Sequence, residues 1–388
     1  MPATVFFAYE ADATNADIQS GRPFSLRAAF LRAGYEVVDC SPLPSINNKN
    51  YVHKILSAQI FGRKYRPERH PHALKLYAEG IMKVISQHMP NPADRKDAFV
   101  FSPGSVCISA LPLTLEMPVF FCADATFASM TNYYQEFSKL SKGYVKEANQ
   151  QERMALARAD AAIYPSRWAA ESAIRDHGGD PEKVLVIPFG SNMRADRIVD
   201  INRRLEDIRQ VCRFAMIGRD WHRKGGPMSV RIWQALRERG VPSELHVAGP
   251  VSRPGDLPAE AHYYGALDRR IPEQAARLQD ILEAAHFLTG FSEAEAFGLQ
   301  FADAAFFGLP SVCFDTGGIS AAVEHGKTGF CFRAGTSPEE IAAEVAALIQ
   351  EPDAYARMVT QSRERYETVL NWDVFVRSAG VQAKWRVP

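Results

Sequence analysis

Three carboxylates lie around a short apolar string in the stretch SEAEAFGLQFADAAFFGLPS, residues 292–311. Glu293 and Glu295 precede the Phe-Gly-Leu string at 297–299, and Asp303 follows it. If a helix begins near this string, Glu295 lies on the loop before it and Asp303 lies more than one turn inside. At about 1.5 Å of rise per residue, these two carboxylates are too far apart to share a metal ion or a proton. Their spacing suits the two ends of one elongated ligand, with each carboxylate accepting hydrogen bonds from hydroxyl groups.

A second candidate is the basic loop GRDWHRKGG, residues 218–226. Arg219 and Lys224 flank glycines that let the backbone approach a ligand, and the start of a helix follows. Together these features suit a diphosphate. The alternative is an ordinary solvated basic loop. Because these two cations already supply the countercharge, the Glu293-x-Glu295 pair is weak evidence for a metal, and we predict no metal site.

The elements that would position these loops alternate regularly. Short runs rich in Val, Ile and Phe, separated by helical patterns, predict βαβ units and parallel sheets. The predicted strands lie at residues 4–9, 35–40, 98–102, 118–124, 161–166, 184–190, 212–218, 244–249, 287–292 and 310–316. We therefore expect two doubly wound αβα domains with a seam near 189–210. Residues 45–97 fit the alternation least well and are expected to form an insertion or long loops.

Whole-chain properties narrow the class of protein. The 388 residues exceed what one hydrophobic core usually organises, which favours two domains. Lys plus Arg and Asp plus Glu both number 45, so there is no global electrostatic bias toward nucleic acid or acidic membranes. Six scattered cysteines without a C-x-x-C pair indicate a reduced, cytoplasmic chain. There is no signal-peptide pattern or long apolar stretch, so we expect any membrane contact to be peripheral.

The segment EAFGLQFADAAFFGLPSVCFDTGGISAAVEHGKTGF closely resembles the signature of retaining glycosyltransferases of family 4. The basic loop at 218–226 is similar to that family's diphosphate loop, and ERMALARADAAIYPSRWAAESAI resembles its passage toward the interdomain linker. The resemblance covers roughly 120–372, with its specific part in the C-terminal half. It implies the GT-B fold, an α/β fold in which two Rossmann-like αβα domains face each other across a cleft. The expected domains are 1–195 on the acceptor side and 205–370 on the donor side, with a C-terminal helix at 371–388 packing back on the first.

The resemblance also implies roles for individual residues of the C-terminal half. Arg219 and Lys224, with Gly218, would hold the donor diphosphate, and Glu295 would hold the hydroxyls of the transferred sugar. The amides around the string would bind the distal phosphate, at Phe297, Gly298 and Leu299. The family's second acid is a glutamate that binds the ribose hydroxyls. Here it is Asp303, which shortens the reach by one methylene.

Two candidates lie in the N-terminal third, where the resemblance is in outline only. Gly21, in IQSGRPFSLRAAFLRAGYEV, lies in what looks like the family's first turn, which closes over the phosphates. Asp124 lies where family members keep a polar group facing the anomeric centre. The competing interpretation of Asp124 is a strand-end aspartate that caps the next helix.

The activity implied is that of a retaining, hexosyltransferase-like enzyme of glycan biosynthesis. It would use a nucleoside-diphosphate sugar as co-substrate without cofactor or metal, and a glycan, lipid-linked or small-molecule acceptor. We expect no nucleic-acid partner and a cytoplasmic location, with peripheral contact at the inner membrane face as an option; the oligomeric state is left open. The rival interpretations are a nucleotide-sugar epimerase of GT-B architecture and a catalytically silent nucleotide-sugar binder.

Overall fold

The computed structural model describes residues 3–16, 18–193, 200–205 and 208–385, without the side chains of 202 and 203. The chain divides into two compact units. Unit 1 comprises Met1–Pro188 and Phe375–Pro388, and unit 2 is Phe189–Val374. Part of the expected seam, residues 194–199 and 206–207, lies outside the described residues.

Unit 1 is built on a six-stranded parallel sheet in the order β2-β1-β3-β4-β5-β6. Its central strands are buried along their whole length, which is why they are continuous runs of Val, Phe and Ala instead of alternating patterns. The strands are β1 (Thr4–Phe7), β2 (Glu36–Asp39), β3 (Ala98–Ser102), β4 (Val119–Cys122), β5 (Ala161–Tyr164) and β6 (Val184–Val186).

The helices of unit 1 connect these strands. They are α1 (Arg22–Arg32), α2 (Val52–Ile60), α3 (Pro71–His88), α4 (Phe127–Met130), α5 (Lys142–Arg158) and α6 (Arg167–His177). The expectation of long loops in the 45–97 region was wrong, because α2 and α3 lie there. Leu74, Ile81 and Ile85 form a buried helical face of α3, with Pro71 at its first turn. The basic, proline-containing stretch before α3 obscured that pattern.

Unit 2 has a second six-stranded parallel sheet, in the order β12-β11-β10-β7-β8-β9. Its strands are β7 (Cys212–Ile217), β8 (Ser243–Ala248), β9 (His262–Tyr263), β10 (Phe287–Gly290), β11 (Ser311–Phe314) and β12 (Gly329–Phe332). Strands β9 and β12 were not predicted, since one has two residues and the other directly follows a glycine-rich turn. The neighbouring strands β7 and β10 pack Phe214 and Phe287 face to face, with ring centroids 5.6 Å apart.

The helices of unit 2 are α7 (Gly226–Glu238), α8 (Pro272–Ala284), α9 (Leu299–Phe306), α10 (Pro338–Gln350) and α11 (Pro352–Thr368). Helix α12 (Trp372–Gln382) begins in unit 2 and continues into the returning segment of unit 1. Near the end of this segment, Trp385 stacks on Phe99 with centroids 5.2 Å apart and meets the edge of Phe120 at 5.0 Å. The chain therefore leaves unit 1 once and comes back to its core.

All six cysteines are free thiols, and all but Cys331 are buried. Among the described residues, no helix is both long enough and apolar enough to span a bilayer.

Candidate functional site

Two loops of unit 2 leave neighbouring strands in the same direction. The first, residues 218–226, follows β7, and the second, residues 291–298, follows β10. Because β7 and β10 are parallel and adjacent, both loops emerge at the carboxyl edge of the sheet. That edge is where open α/β sheets bind their ligands.

The first loop is a close-packed turn rather than a solvated basic loop. Gly225 has φ 75° and caps α7, and a Cβ atom there would overlap the carbonyl oxygen of Phe291. Gly226 lies against the indole ring of Trp221, which leaves no room for a side chain. Trp221 is fixed in turn by donating from Nε1 to Asp256 at 2.8 Å. The two glycines thus allow the first loop to pack directly on the second.

Arg223 joins the two loops, and the sequence reasoning missed it. The Glu293 amide donates to the Arg223 carbonyl at 2.9 Å. The Arg223 guanidinium donates to the Ala294 carbonyl at 3.0 Å and lies 3.7 Å from Glu295 Oε2. The available signal was its position directly before Lys224, as a third basic residue of the same loop.

Lys224 and Glu295 are brought together by these loops. Lys224 Nζ donates to Glu295 Oε2, and the Ser292 hydroxyl lies 3.4 Å from the same oxygen. The two charged side chains are only 14% and 12% exposed. A mostly buried ammonium group thus lies beside a carboxylate at the carboxyl ends of the strands.

Arg219 is exposed at the start of the first loop, and Glu293 is exposed in the second. The pKa of Asp268 is lowered to about 2, mainly by hydrogen bonds from Arg270 and to a small extent by the charge of Arg219. The charge of Arg219 is therefore close enough to Asp268 to influence it. Neither Arg219 nor Glu293 is held as tightly as the Lys224–Glu295 pair.

The second loop ends at the N-terminus of α9, close to the expected position. Gly298 is the N-cap residue with φ 83°, and within the described part of the chain no side chain caps the helix there. The Phe301 amide donates to the Gly298 carbonyl at 2.9 Å, so Leu299 and Gln300 are the residues whose amides precede the first hydrogen bond of the helix. Phe297 is buried against Phe189, with centroids 5.5 Å apart, so its side chain belongs to the core. Only the backbone at 297–299 is suited to binding an anion.

Asp303 is buried and is bonded through both carboxylate oxygens. Its Oδ1 accepts from the Ser191 hydroxyl and the Asn192 amide, each at 2.8 Å. Its Oδ2 accepts from Arg269 at 2.8 Å. Asp303 therefore ties α9 to the start of unit 2 and to the turn after β9. A ligand hydroxyl can bind Oδ2 only by sharing that oxygen with Arg269 or by displacing it.

In unit 1, Gly21 ends an unusual turn before α1. Gln19, Ser20 and Gly21 have φ values of 48°, 59° and 86° in succession. Left-handed conformations in non-glycine residues are costly and are often found at functional sites. Gly21 is the N-cap residue of α1, so the turn fixes where Arg22 begins the helix.

Asp124 lies just after β4 and is 52% exposed. Its Oδ1 is 3.6 Å from Nη1 of the buried Arg22, and Arg22 Nη2 donates to the Pro103 carbonyl at 3.0 Å. The helix-cap interpretation of Asp124 was wrong, because Thr126 caps α4 and forms a capping box with Ser129. Arg22 begins the helix after β1, and its buried guanidinium thus contacts the turns after both β3 and β4.

Residues 212–351 match the family model described as "Glycosyl transferases group 1". The match runs from β7 to the end of α10 and contains both loops of the candidate site. Through this region, the chain is similar to the group 1 glycosyl transferases. The resemblance noted in the sequence is thereby confirmed at the level of this family.

Several named enzymes are similar in sequence to part of this chain. The D-inositol 3-phosphate glycosyltransferase of Rhodococcus jostii is 26% identical over 236 residues, which cover 57% of this chain and 52% of that protein. The enzyme of the same name from Actinosynnema mirum is 31% identical over 194 residues, covering 46% of each chain. The chain thus spans about half the length of the curated relatives that it matches.

Solved structures share the fold over nearly the whole chain. Sucrose-phosphate synthase from Thermosynechococcus elongatus has a TM-score of 0.67 at 16% identity, covering 99% of this chain and 98% of that one. Anabaena Alr3699/HepE, solved in complex with UDP-glucose, has a TM-score of 0.58 at 14% identity, covering 98% and 99%. These likenesses, with the two parallel sheets, confirm the predicted GT-B fold.

Proposed function

We propose that this chain transfers a sugar from a nucleoside-diphosphate sugar to an acceptor and retains the anomeric configuration. The observation that carries the proposal is the contact between Lys224 and Glu295, made by two loops at the ends of adjacent parallel strands. Both loops lie within the region matched by the family. The relatives' names and the UDP-glucose bound to the Anabaena protein support a donor of this class.

The charge of the leaving diphosphate grows as the anomeric bond breaks. Lys224, Arg219 and the first amides of α9 would stabilise that charge in a site fixed before the reaction. Lys224 has three N–H donors, so it can bind a phosphate oxygen while still bonded to Glu295. Arg223 adds a further positive charge at the same edge of the sheet.

Glu295 would accept hydrogen bonds from hydroxyls of the transferred sugar. Lys224 and Ser292 contact its Oε2, which restrains the position of that oxygen before a donor binds. A fixed carboxylate orients the reacting sugar, and small errors in that orientation are costly to the rate. Attack on the face from which the leaving group departs, with the leaving phosphate assisting, would give retention without a protein nucleophile. The proposed reaction requires no metal.

Two residues of unit 1 are proposed as contributors. Asp124 is half exposed, and its rival role as a helix cap is taken by Thr126. Gly21 ends a turn with three successive left-handed residues, a conformation that sequence alone would not favour. We propose that Asp124 acts near the anomeric carbon and that the Gly21 turn contacts the donor phosphates. The acceptor is a glycan, a lipid-linked molecule or a small molecule.

The test is a screen of nucleoside-diphosphate sugars for thermal stabilisation and for release of the nucleoside diphosphate. One donor should stabilise the wild-type protein, and Lys224→Gln should lose that stabilisation. Lys327→Gln is the matched control, because Lys327 is an exposed lysine of the same unit paired with Glu324. Stabilisation without turnover would indicate a silent binder, and epimerised donor without acceptor would indicate an epimerase. If no nucleoside-diphosphate sugar stabilises the protein, the proposal is wrong.

A further inference from the structure

A second group of polar side chains lies on β8 and β9, outside the two loops of the candidate site. Glu244 and His246 are two residues apart on β8, so they project from the same face of the sheet. His262 of β9 is directly opposite His246 in the parallel ladder. One ligand atom from each of the three residues lies within 4.8 Å of the other two. In the described ranges of the chain, this is the group of His, Cys, Asp and Glu side chains whose spacing fits a metal ion.

We propose that Glu244, His246 and His262 bind a divalent first-row transition-metal ion, most suitably Zn²⁺. Two imidazole nitrogens and one carboxylate oxygen form a donor set that zinc accepts, with a water as fourth ligand. Calcium and magnesium prefer oxygen ligands alone, so the two histidines disfavour them.

One edge of the coordination sphere is already formed. His246 Nε2 lies 3.2 Å from Glu244 Oε2. Two ligands held about 2.0 to 2.2 Å from a tetrahedral zinc ion are roughly 3.4 Å apart, so an ion can replace this hydrogen bond with little movement. The His262 ring stacks on His246 with centroids 4.5 Å apart. Since His262 is exposed, its side chain can rotate to bring a nitrogen to the ion.

A neighbouring tyrosine fixes the central histidine. The Tyr264 hydroxyl lies 2.8 Å from His246 Nδ1. When Nδ1–H donates to this oxygen, the lone pair of Nε2 points away from the tyrosine and is available to a metal ion. A cavity of about 170 Å³ adjoins His246 and Tyr264 and is also lined by Arg277 and Asp280. That volume is enough for water molecules to complete the coordination.

The proposed ion would act as a clip at the edge of the sheet. Strand β9 has only two residues, so its pairing with β8 rests on few backbone hydrogen bonds. A metal bound by side chains from both strands would hold β9 in place. Arg213 lies 3.4 Å from Glu244 Oε2 and competes with a cation for this carboxylate.

The experiment uses the full chain after treatment with a chelator. Zn²⁺ is titrated by calorimetry, Co²⁺ binding is followed by its visible absorption, and folding of each variant is checked by circular dichroism. We expect one ion per chain and a higher melting temperature with Zn²⁺. His262→Gln, which replaces an exposed side chain, should weaken binding by at least about tenfold. His246→Gln should weaken it similarly.

Two further variants make the test specific. Arg213→Gln should tighten Zn²⁺ binding, because it removes the competing cation. His72→Gln, at an exposed histidine of α3, is the control and should change nothing. Equal Zn²⁺ affinity in the wild type, His246→Gln and His262→Gln would overturn the proposal, as would the absence of saturable binding. This outcome is independent of the donor-sugar screen.

Discussion

Each unit contains a largely buried ion pair between a basic side chain and a glutamate, but the surroundings of the two pairs differ. In unit 1, Arg69 and Glu152 are 2.9 Å apart and 11% and 2% exposed. Ser105 donates to the same carboxylate oxygen at 3.0 Å, and Gln151 donates to Ser105 at 3.2 Å. The pair joins the turn before α3 to α5. In unit 2, Lys224 and Glu295 come from two loops that leave adjacent parallel strands.

Burial and charge are therefore poor guides to function when they are taken alone. The Arg69–Glu152 pair is bonded to Gln151 of α5 and to Ser105, which follows β3. The Lys224–Glu295 pair lies at the carboxyl edge of a sheet, and its second loop leads into the N-terminus of α9. Position in the topology distinguishes a structural ion pair from a candidate binding site. We expect mutation of the first pair to lower the stability of the protein and mutation of the second to lower its activity.

The largest effect is expected for Arg69→Ala, which leaves the buried Glu152 carboxylate without its countercharge. Removing one partner of a buried ion pair costs about 3 to 5 kcal/mol of unfolding free energy. Chemical denaturation should show this loss, with little change in activity for the molecules that remain folded. The control is Lys75→Ala, which breaks the exposed Lys75–Glu79 pair of α3 and should cost less than about 1 kcal/mol. A loss as small for Arg69→Ala as for the control would contradict the structural role.

Lys224→Ala should show the opposite pattern. We expect a loss of about 2 to 4 kcal/mol in transition-state stabilisation, because a charge-assisted contact to the leaving diphosphate disappears. The unfolding free energy should be nearly unchanged, since Arg223 remains near Glu295. Glu295→Gln should lower kcat sharply for the same donor. Steady-state kinetics together with denaturation tests this, and wild-type turnover in both variants would show that the site has been placed wrongly.

Asp303→Asn sharpens the comparison, because Asp303 combines a buried structural position with a predicted ligand role. Losing the charge-assisted bond from Arg269 should cost about 1.5 to 3 kcal/mol of stability. If Asp303 also binds the ribose of the donor, the apparent KM should rise with a smaller change in kcat. Arg269→Gln serves as the paired variant, since it removes the partner and keeps the carboxylate. An unchanged KM in Asp303→Asn would assign Asp303 to structure alone.

The smallest expected effect is a pH dependence of the unfolding free energy, caused by His177 in unit 1. Burial lowers the pKa of His177 from its ordinary value of 6.5, with smaller opposing and reinforcing effects from Glu152 and nearby arginines. The unfolded chain therefore takes up a proton before the folded one does. Stability should fall as the pH drops below about 6.5 and level off below the folded pKa, with a slope of at most about 1.4 kcal/mol per pH unit. His177→Gln should flatten this part of the curve, and an unchanged slope would refute the assignment.

Much of the fold was predictable from local sequence. The runs rich in Val, Ile and Phe predicted the positions of ten strands. The glycines of the two loops indicated the turns of the candidate site. The rest depends on contacts that are distant in sequence. Ser191 and Asp303 are 112 residues apart, and no local pattern indicates that they bond. A two-residue strand such as β9 has no periodicity, so the pairing of His246 with His262 could not be predicted.

The return of the chain to unit 1 affects the order in which the protein can fold during synthesis. Residues 1–188 are made first, but their core lacks Trp385, which covers Phe99 and Phe120. All of unit 2 is made before that tryptophan is added. Since domains generally fold as units while the chain grows, unit 2 has every residue of its core before unit 1 does. The nascent first unit therefore has an incomplete aromatic cluster until the last residues of unit 1 have been added.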